Sequence, residues 1–506
     1  MRKIFYLLMA CCAVFGSCTK QLNQLPPSSA PVASFFSNTS DFMQAVTGAY
    51  NQLRAYPDQS LWMGEMRSDN IVAGSDGNRD WQGINDFSPN LTNTAFIVSA
   101  WNTNFNGIYN VNTVLDALDK KGSNVTDTAL RRRFGGECRF LRAFYYFQLL
   151  RLYGELPIID HVVSAPEAED IPRSKVEDVY GLIISDLQYA IANLPPGYTG
   201  VDVGRATSYA AKGLLGLVYL TRSGPTYNVK GPGINSNEYG QAMALFNDII
   251  GSGLFNFISS YPAIFSYTGE NNKEVIFDVQ FMSSNNGADF PSMLTPTGYW
   301  GGLGLSGSYG NGYGSVTYNI SRDLLRSYTT SAGGGVDTRD TFSIQHKFNS
   351  SATVVDSVNP FIKKYINIAK RGTGYNDWPI NYIVMRFTDV LLMKAECILH
   401  GAGGGSQSYV DSVVNLVRQR AGVPTGVSNV DLPTLMEERR REFLGEGLRW
   451  NDLIREGMAV TTMNTWVAND SISTINKVVP QFVIYPVPNA ELLVKPGLYT
   501  QNDGYY

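Results

Sequence analysis

The sequence predicts a mostly α-helical protein, built as a tetratricopeptide-like helical repeat scaffold with long loop-rich insertions and a few short strands. Three observations predict this fold. Apolar residues recur at steps of three and four in many segments. Patterns that alternate as in a strand are sparse. Pairs of helical patterns follow each other across short turns, which is typical of helical repeats.

The N-terminus reads as a lipoprotein signal. Arg2-Lys3 form a basic segment, 4–15 an apolar one, and Gly16-Ser17 are small residues before Cys18. We expect cleavage after residue 17 and lipidation of Cys18; cleavage before Cys11 would leave a very short apolar segment. No other stretch is long and apolar enough to span a bilayer, so the lipid should be the sole membrane attachment.

Three segments follow from this interpretation: a signal peptide at 1–17, a lipidated tether at 18–36 and a single helical body at 37–506. The tether is polar, marked by prolines and without periodicity. Loss of two basic residues with the signal peptide leaves 38 Lys and Arg against 44 Asp and Glu, a net charge of −6. This acidic excess argues against nucleic acid as a partner.

Helices are predicted from the apolar spacing, most clearly over 129–153, where an apolar stripe ends before Gly154 and Pro157. The stripe consists of Phe134, Cys138, Leu141, Tyr145, Leu149 and Leu152. The other predicted helices are 41–54, 97–118, 174–193, 206–221, 238–251, 385–400, 408–420 and 431–455.

Strands are predicted at 274–281 and 481–485, where apolar and polar residues alternate. A long segment rich in Gly, Ser, Asn and aromatics lies between 283 and 318. Loops of this length in a compact body are usually functional or disordered.

Cys138 and Cys397 lie in helical patterns among small residues. A disulfide or reactive thiol is one interpretation. We favour the other, a small buried apolar residue, because free cysteine is among the most buried residue types.

Several motifs resemble the SusD/RagB family, in order along the mature chain. They are Gly136 to Phe147 followed by Arg151 to Pro157, Glu438 to Phe443 continuing through Glu446 to Arg455, and Tyr485 to Leu492 with Gln501 to Tyr505. The stretches 101–112, 386–396 and 417–422 agree. The charges in these motifs are interpreted as architectural, because Glu437 and Glu438 reach Arg441 at spacings of four and three. Arg139 and Arg142 are interpreted in the same way.

Few side chains stand in patterns typical of a catalytic site, and we expect no enzymatic activity. The three histidines are far apart, and no zinc-protease motif, nucleophile elbow or phosphate loop is present. Gly302, Gly304 and Gly307 match a dinucleotide fingerprint but lack the flanking strand and helix. No cofactor is expected. Asp76, Asn78 and Asp80 have calcium-loop spacing, but Trp81 replaces the required glycine, so a polar turn is the preferred interpretation and a calcium site the alternative.

The resemblance implies an outer-membrane lipoprotein facing the cell exterior. It would capture oligosaccharides and deliver them to a SusC-like TonB-dependent transporter. Two alternatives stay open: the same scaffold capturing peptides, as in the RagB branch, and a surface-anchored hydrolase. In relatives, loops rather than helical repeats build the ligand face.

Two aromatic loops qualify as the ligand face, 62–81 and 283–318, because aromatic faces stack on sugar rings and polar side chains bind hydroxyls. Trp81, Tyr299 and Trp300 are predicted to form the stacking platform, with a buried packing role as the alternative for each. Trp101 and Trp450 are expected in the core. The further candidates are Trp62, Asp69, Asn70, Arg79, Asn285, Asp289 and Tyr313.

Overall fold

A computed structural model describes residues 35–73, 80–284, 286–293, 295–305, 318–333, 335–424 and 426–506. The chain is mostly helical with a few short strands, which confirms the predicted fold class. The α-helices are α1 Thr39–Tyr50, α2 Tyr56–Ser60, α3 Asp80–Asn85, α4 Ala95–Lys121, α5 Thr128–Tyr153, α6 Ala165–Ala168, α7 Val176–Asn193, α8 Ser208–Ser223, α9 Tyr239–Gly251, α10 Tyr261–Ile264, α11 Phe290–Met293, α12 Thr297–Gly302, α13 Arg322–Ala332, α14 Thr338–Ser343, α15 Phe387–Leu399, α16 Gln407–Arg420, α17 Leu432–Glu442, α18 Arg449–Arg455, α19 Ala459–Asn469 and α20 Asn489–Val494.

The strands are short and pair in twos. They are β1 Ile71–Ala73, β2 Leu156–Pro157, β3 Arg173–Ser174, β4 Val275–Val279, β5 Tyr318–Ile320, β6 Ile344–Gln345, β7 Phe348–Asn349, β8 Val355–Asp356, β9 Phe361–Ile362 and β10 Tyr382–Arg386. The antiparallel pairs are β1–β5, β4–β10, β2–β3, β6–β9 and β7–β8. Strand β4 lies within the predicted strand 274–281.

Helix α5 shows why the sequence folds as predicted. The Asp127 side chain caps its start by accepting hydrogen bonds from the N–H groups of Ala129 and Leu130. Gly154 ends it with a positive φ of 73°, a conformation that glycine adopts readily. The predicted stripe is buried except for Leu152, which is half-buried. Helix α5 is therefore the centre of the scaffold.

The scaffold grows by packing successive helices side by side. Helix α4 packs against α5, α5 against α7, α7 against α8, and α8 against α9; α9 then contacts α15, which packs on α16. This succession of neighbouring helices is the arrangement expected of a tetratricopeptide-like scaffold.

Two predicted elements are wrong. The helix predicted over 431–455 is two helices, α17 and α18, because Gly445 and Gly447 take positive φ values of 77° and 70° between them. The strand predicted at 481–485 is replaced by a 3₁₀ turn over Pro480–Val483. Short alternating patterns of five residues cannot distinguish these two conformations.

The charged motif at 437–442 lies mostly in the interior, where it crosslinks helices. Arg439 binds Asp389 and Asp452 at 2.7 and 2.8 Å, and Glu438 binds Arg441 at 2.7 Å. Glu437 instead pairs with Arg440 and Arg449. Removing one partner of such a buried pair leaves an uncompensated charge, which strongly destabilises the packing of these helices.

The same architectural role holds on α5, where Arg142 binds Asp186 at 2.7 Å. Cys138 and Cys397 are free and buried, as predicted, and burial raises the pKa of both thiols. Within the described ranges, no helix combines the length and apolar character needed to cross a bilayer.

Candidate functional site

A two-stranded ribbon joins the two predicted ligand loops. Strand β1, in the first loop, pairs antiparallel with β5 at the end of the second, with Val72 opposite Asn319. Ser321, just after β5, donates from its hydroxyl to the backbone oxygen of Asp69 at 2.6 Å. The structure therefore brings together two segments that are far apart in the sequence.

Beside this ribbon lies a groove of about 800 Å³. The ribbon and α13 form one wall, the turns around 346 and 358 another, and the segment after α19 a third. The lining residues are Val72, Ala73, Asn319, Ile320, Arg322, Leu325, His346, Lys347, Ser357, Val358, Pro360, Asp470, Ser471, Ile472, Ser473 and Thr474. A groove of this size can hold a ligand of several rings.

Two acceptor oxygens in this lining lack hydrogen-bond partners among the described residues. They are Asn319 Oδ1 and Asp470 Oδ2, and both are buried. The other carboxylate oxygen of Asp470 accepts from Arg326 at 2.6 Å. Buried polar groups are nearly always hydrogen-bonded, so these two oxygens leave hydrogen-bond capacity unused at the wall of the groove. A hydroxyl donor that enters this wall, from a ligand or from water, would satisfy them.

The remaining lining mixes short apolar side chains with the hydroxyls of Ser357, Ser471, Ser473 and Thr474. His346 Nε2 lies 2.9 Å from Asp340 Oδ1. No hydroxyl or thiol in the described ranges hydrogen-bonds to a histidine, and no cluster of three metal-binding side chains occurs there. The arrangement suits binding of a polar, hydroxyl-bearing molecule.

The structure corrects the prediction for Trp62 and Trp81. Their rings stack on each other, with centroids 5.4 Å apart, and their exposed fractions are 2% and 4%. Phe96 covers Trp62 from a distance of 5.2 Å. Because each ring is covered by the protein itself, neither offers a free face to a ligand.

Trp300 is likewise a core residue rather than part of a platform. Its exposed fraction is 0%, and its ring packs 6.0 Å from Trp378 and 5.1 Å from Tyr299. Tyr299 is half-buried and contacts Phe348 and Phe361, which adjoin lining residues of the groove. Of the predicted platform, only Tyr299 keeps part of its surface exposed. Trp101 and Trp450 lie in the core as expected.

Asp69 and Asn70 anchor the first loop instead of facing a ligand. The Asp69 carboxylate accepts from Arg449 at 2.8 and 2.9 Å, and Asn70 accepts from Arg440 and donates to Glu65. Burial opposes ionisation, but the charges of Arg440 and Arg449 lower the pKa of Asp69 to about 2. Their polar groups are already satisfied, which corrects the prediction.

Asp289, at the start of α11, lies against a second carboxyl group, that of Asp58. Burial, followed by the charge of Asp289, raises the pKa of Asp58 well above its usual range. The two carboxyl groups can therefore share a proton and hydrogen-bond to each other. Asp289 is half-buried and is not among the residues that line the groove.

Some predicted residues lie outside the described ranges: Cys18, Asp76, Asn78, Arg79, Asn285 and Tyr313. Asp80 begins α3, but its side chain is not described. The lipidation, calcium and part of the ligand predictions rest on these positions and stay predictions.

The groove contains residues that sequence reasoning missed. The 470–474 segment and the turns around 346 and 358 carry no motif or periodicity. Val72 and Ala73 lie within the predicted loop 62–81, and Asn319 directly follows the predicted loop 283–318, so composition indicated only this part of the lining.

Comparisons with known proteins agree with the fold. A family model described as "SusD family" matches residues 356–505, and one described as "Starch-binding associating with outer membrane" matches residues 21–220. A SusD-like protein of Bacteroides ovatus is 27% identical over 370 residues, which cover 70% of this chain and 64% of that relative. SusD-like protein P25 of Formosa agariphila is 23% identical, with 99% and 98% covered.

Solved structures show the same architecture. Surface glycan-binding protein A from Bacteroides thetaiotaomicron, in complex with laminarihexaose, has a TM-score of 0.76 at 22% identity, covering 92% of this chain and 100% of that chain. A SusD superfamily protein from Bacteroides vulgatus has a TM-score of 0.75 at 21% identity, covering 93% and 100%.

Proposed function

Because this chain belongs to the SusD/RagB family, we propose that it is a cell-surface lipoprotein that captures oligosaccharides and delivers them to a SusC-like TonB-dependent transporter in the outer membrane. The family model for its N-terminal part is described as associating with the outer membrane. One structural relative was solved in complex with laminarihexaose. Both descriptions support the proposal.

The observation that carries capture of a sugar is a pair of acceptors at the wall of the groove, Asn319 Oδ1 and Asp470 Oδ2, which lack hydrogen-bond partners among the described residues. Oligosaccharides present many hydroxyl donors on a chain of rings, which matches a groove of about 800 Å³ lined by acceptors and hydroxyls.

The attachment and the partner are parts of the same proposal. Cys18 would carry the lipid, and residues 18–36 would tether the body to the membrane. The transporter would receive the glycan from the groove.

Binding is tested with the chain lacking residues 1–18, screened on an array of oligosaccharides and peptides. For a glycan that binds, isothermal titration calorimetry compares wild type with Asn319→Ala and Asp470→Asn. We expect each variant to bind about tenfold more weakly or worse, because a site built around hydrogen bonds loses affinity when one is removed.

Asp248→Asn is the matched control. Asp248 is an acidic side chain with 58% exposure that pairs with Lys212 on the scaffold surface. The Asp248→Asn variant should bind the glycan with the affinity of wild type. If the chain binds peptides and no glycan, the proposed cargo is wrong. If both groove variants bind the glycan with unchanged affinity, the binding site does not lie in this groove.

Delivery is tested by purification from membranes in mild detergent. A large barrel protein should co-purify with the chain. Repeated isolation of the chain alone would contradict the partnership, and a Cys18→Ala variant that stays on the membrane would contradict the lipid anchor.

A further inference from the structure

Two cationic side chains line the groove without an ion pair to any described carboxylate. Arg322 is exposed at the first residue of α13, and Lys347 is exposed in the turn between β6 and β7. Other cations on the surface of the described part of the chain do pair: Arg326 binds Asp470, and Lys212 binds Asp248. Since no carboxylate in the described ranges forms an ion pair with Arg322 or Lys347, both bring positive charge to the groove.

Among the residues that line the groove, Asp470 carries the acidic side chain, and its charge is offset by Arg326. Asp323, which follows Arg322 on α13, binds Arg440 at 2.6 Å. The net charge of the lining is therefore positive.

This local charge runs against the charge of the whole protein, which is −4 before processing. An acidic protein repels anions in general, so a positive groove concentrates them at one place. Arg322 also lies at the N-terminus of an 11-residue helix, whose backbone dipole favours negative charge. The buried, unpartnered Asp470 Oδ2 in the same groove indicates that a ligand also brings hydroxyl donors.

We propose that the groove selects acidic oligosaccharides, whose carboxylate or sulfate groups bind Arg322 and Lys347 while their hydroxyls bind Asn319 and Asp470. This inference rests on the proposed function and names its substrate class. Arginine binds carboxylate and sulfate groups through two parallel hydrogen bonds, which a neutral sugar cannot match.

The test uses matched pairs of oligosaccharides with the same backbone. One series pairs hexuronic acid oligosaccharides with their carboxyl-reduced forms, and the other pairs sulfated oligosaccharides with their desulfated forms. The full chain, purified in mild detergent, is titrated with each pair and with every glycan that binds on the array. We expect the anionic member to bind at least about tenfold more tightly, in line with a charge-assisted contact. The series that binds identifies the anionic group.

Arg322→Gln and Lys347→Gln are the test variants, and Lys120→Gln is the charge-matched control. Lys120 is 76% exposed on α4 and does not line the groove. The test variants should lose the preference for the anionic member, and the control should keep it. Because Arg322 and Lys347 are exposed, circular dichroism should show that the variants stay folded.

The outcomes separate the two proposals. A neutral glycan that binds as tightly as its anionic partner overturns acid selection and leaves glycan capture standing. An anionic preference that survives in both test variants also overturns the inference, because the selecting charges would then lie elsewhere. No binding to any oligosaccharide overturns both proposals.

Discussion

The Asp69 carboxylate accepts two hydrogen bonds from Arg449, at 2.8 and 2.9 Å, and so ties the first loop to helix α18 near the other end of the chain. Arg440 adds a third cationic contact at 3.3 Å. All three side chains are almost fully buried. Buried ion pairs between Asp69 and the two arginines therefore fix the base of the first loop.

Asp69→Asn should lower the free energy of unfolding by about 3–5 kcal/mol, because it leaves two buried guanidinium groups without a full counter-charge. Urea unfolding at pH 7 measures this, with Asp248→Asn as the control. The pKa of Asp69 is about 2 in the folded protein and near 3.8 when unperturbed. Its stabilisation is thus present above pH 4 and is lost as the pH falls toward 2. A difference between wild type and variant that stays constant over this range would contradict the assignment.

Gly447→Ala should destabilise the protein by more than about 1 kcal/mol, because its φ of 70° disfavours other residues. A Cβ there would also lie 2.0 Å from Ser60 Oγ. Gly181→Ala is the control: Gly181 lies in helix α7 with no atom near the added Cβ, and alanine favours helix by up to about 1 kcal/mol. Thermal unfolding of both variants should shift in opposite directions. Equal shifts in the unfolding temperature of the two variants would show that neither the positive φ nor the close approach to Ser60 makes Gly447 intolerant of alanine.

Trp300→Ala should lower the free energy of unfolding by about 3–5 kcal/mol, since it removes a fully buried ring from contact with Tyr299 and Trp378. Guanidinium unfolding followed by circular dichroism measures the change. Tyr109→Ala, at a tyrosine that is 56% exposed, should change stability by about 0.5 kcal/mol or less. A stable Trp300→Ala variant that selectively loses glycan binding would restore the stacking role that the structure argues against.

Asp278 should make the protein less stable as the pH rises from 4 to 7. Burial raises its pKa to about 7, and hydrogen bonds from Asn381 and Gln280 only partly oppose this. Between pH 4 and 7 the unfolded chain has lost this proton and the folded chain has kept it, so stability falls with pH and then levels off. Asp278→Asn should remove this part of the pH dependence in urea unfolding series at pH 5, 6, 7 and 8. An unchanged dependence would show that Asp278 is ionised throughout.

The helices were predictable because their signal is local. The spacing of Phe134, Cys138 and Leu141 defines α5, and Gly154 marks its end within the same window. The break between α17 and α18 was missed because a helical pattern continues on both sides of Gly445 and Gly447, and the sequence alone does not show that these glycines adopt positive φ values. Isolated glycines are tolerated in helices, so their conformation depends on contacts such as the one with Ser60.

The site was predictable only as a region. Composition identified the two loops, but Trp81 and Trp300 were assigned to a ligand although aromatic residues are as common in cores. Their burial depends on partners such as Trp62 and Trp378 that no local pattern connects. The groove also draws on the 470–474 segment, which only tertiary packing brings to Asn319.

The ribbon of β1 and β5 has a consequence for exchanging parts between relatives. Each strand contributes one residue to every pair of the ribbon: Ile71 pairs with Ile320, Val72 with Asn319 and Ala73 with Tyr318. A transplanted loop that brings only one strand must match a partner selected for another sequence, and a slip of one residue turns every side chain to the opposite face. Chimeras intended to change the cargo should therefore move both loops together, as one two-part cassette.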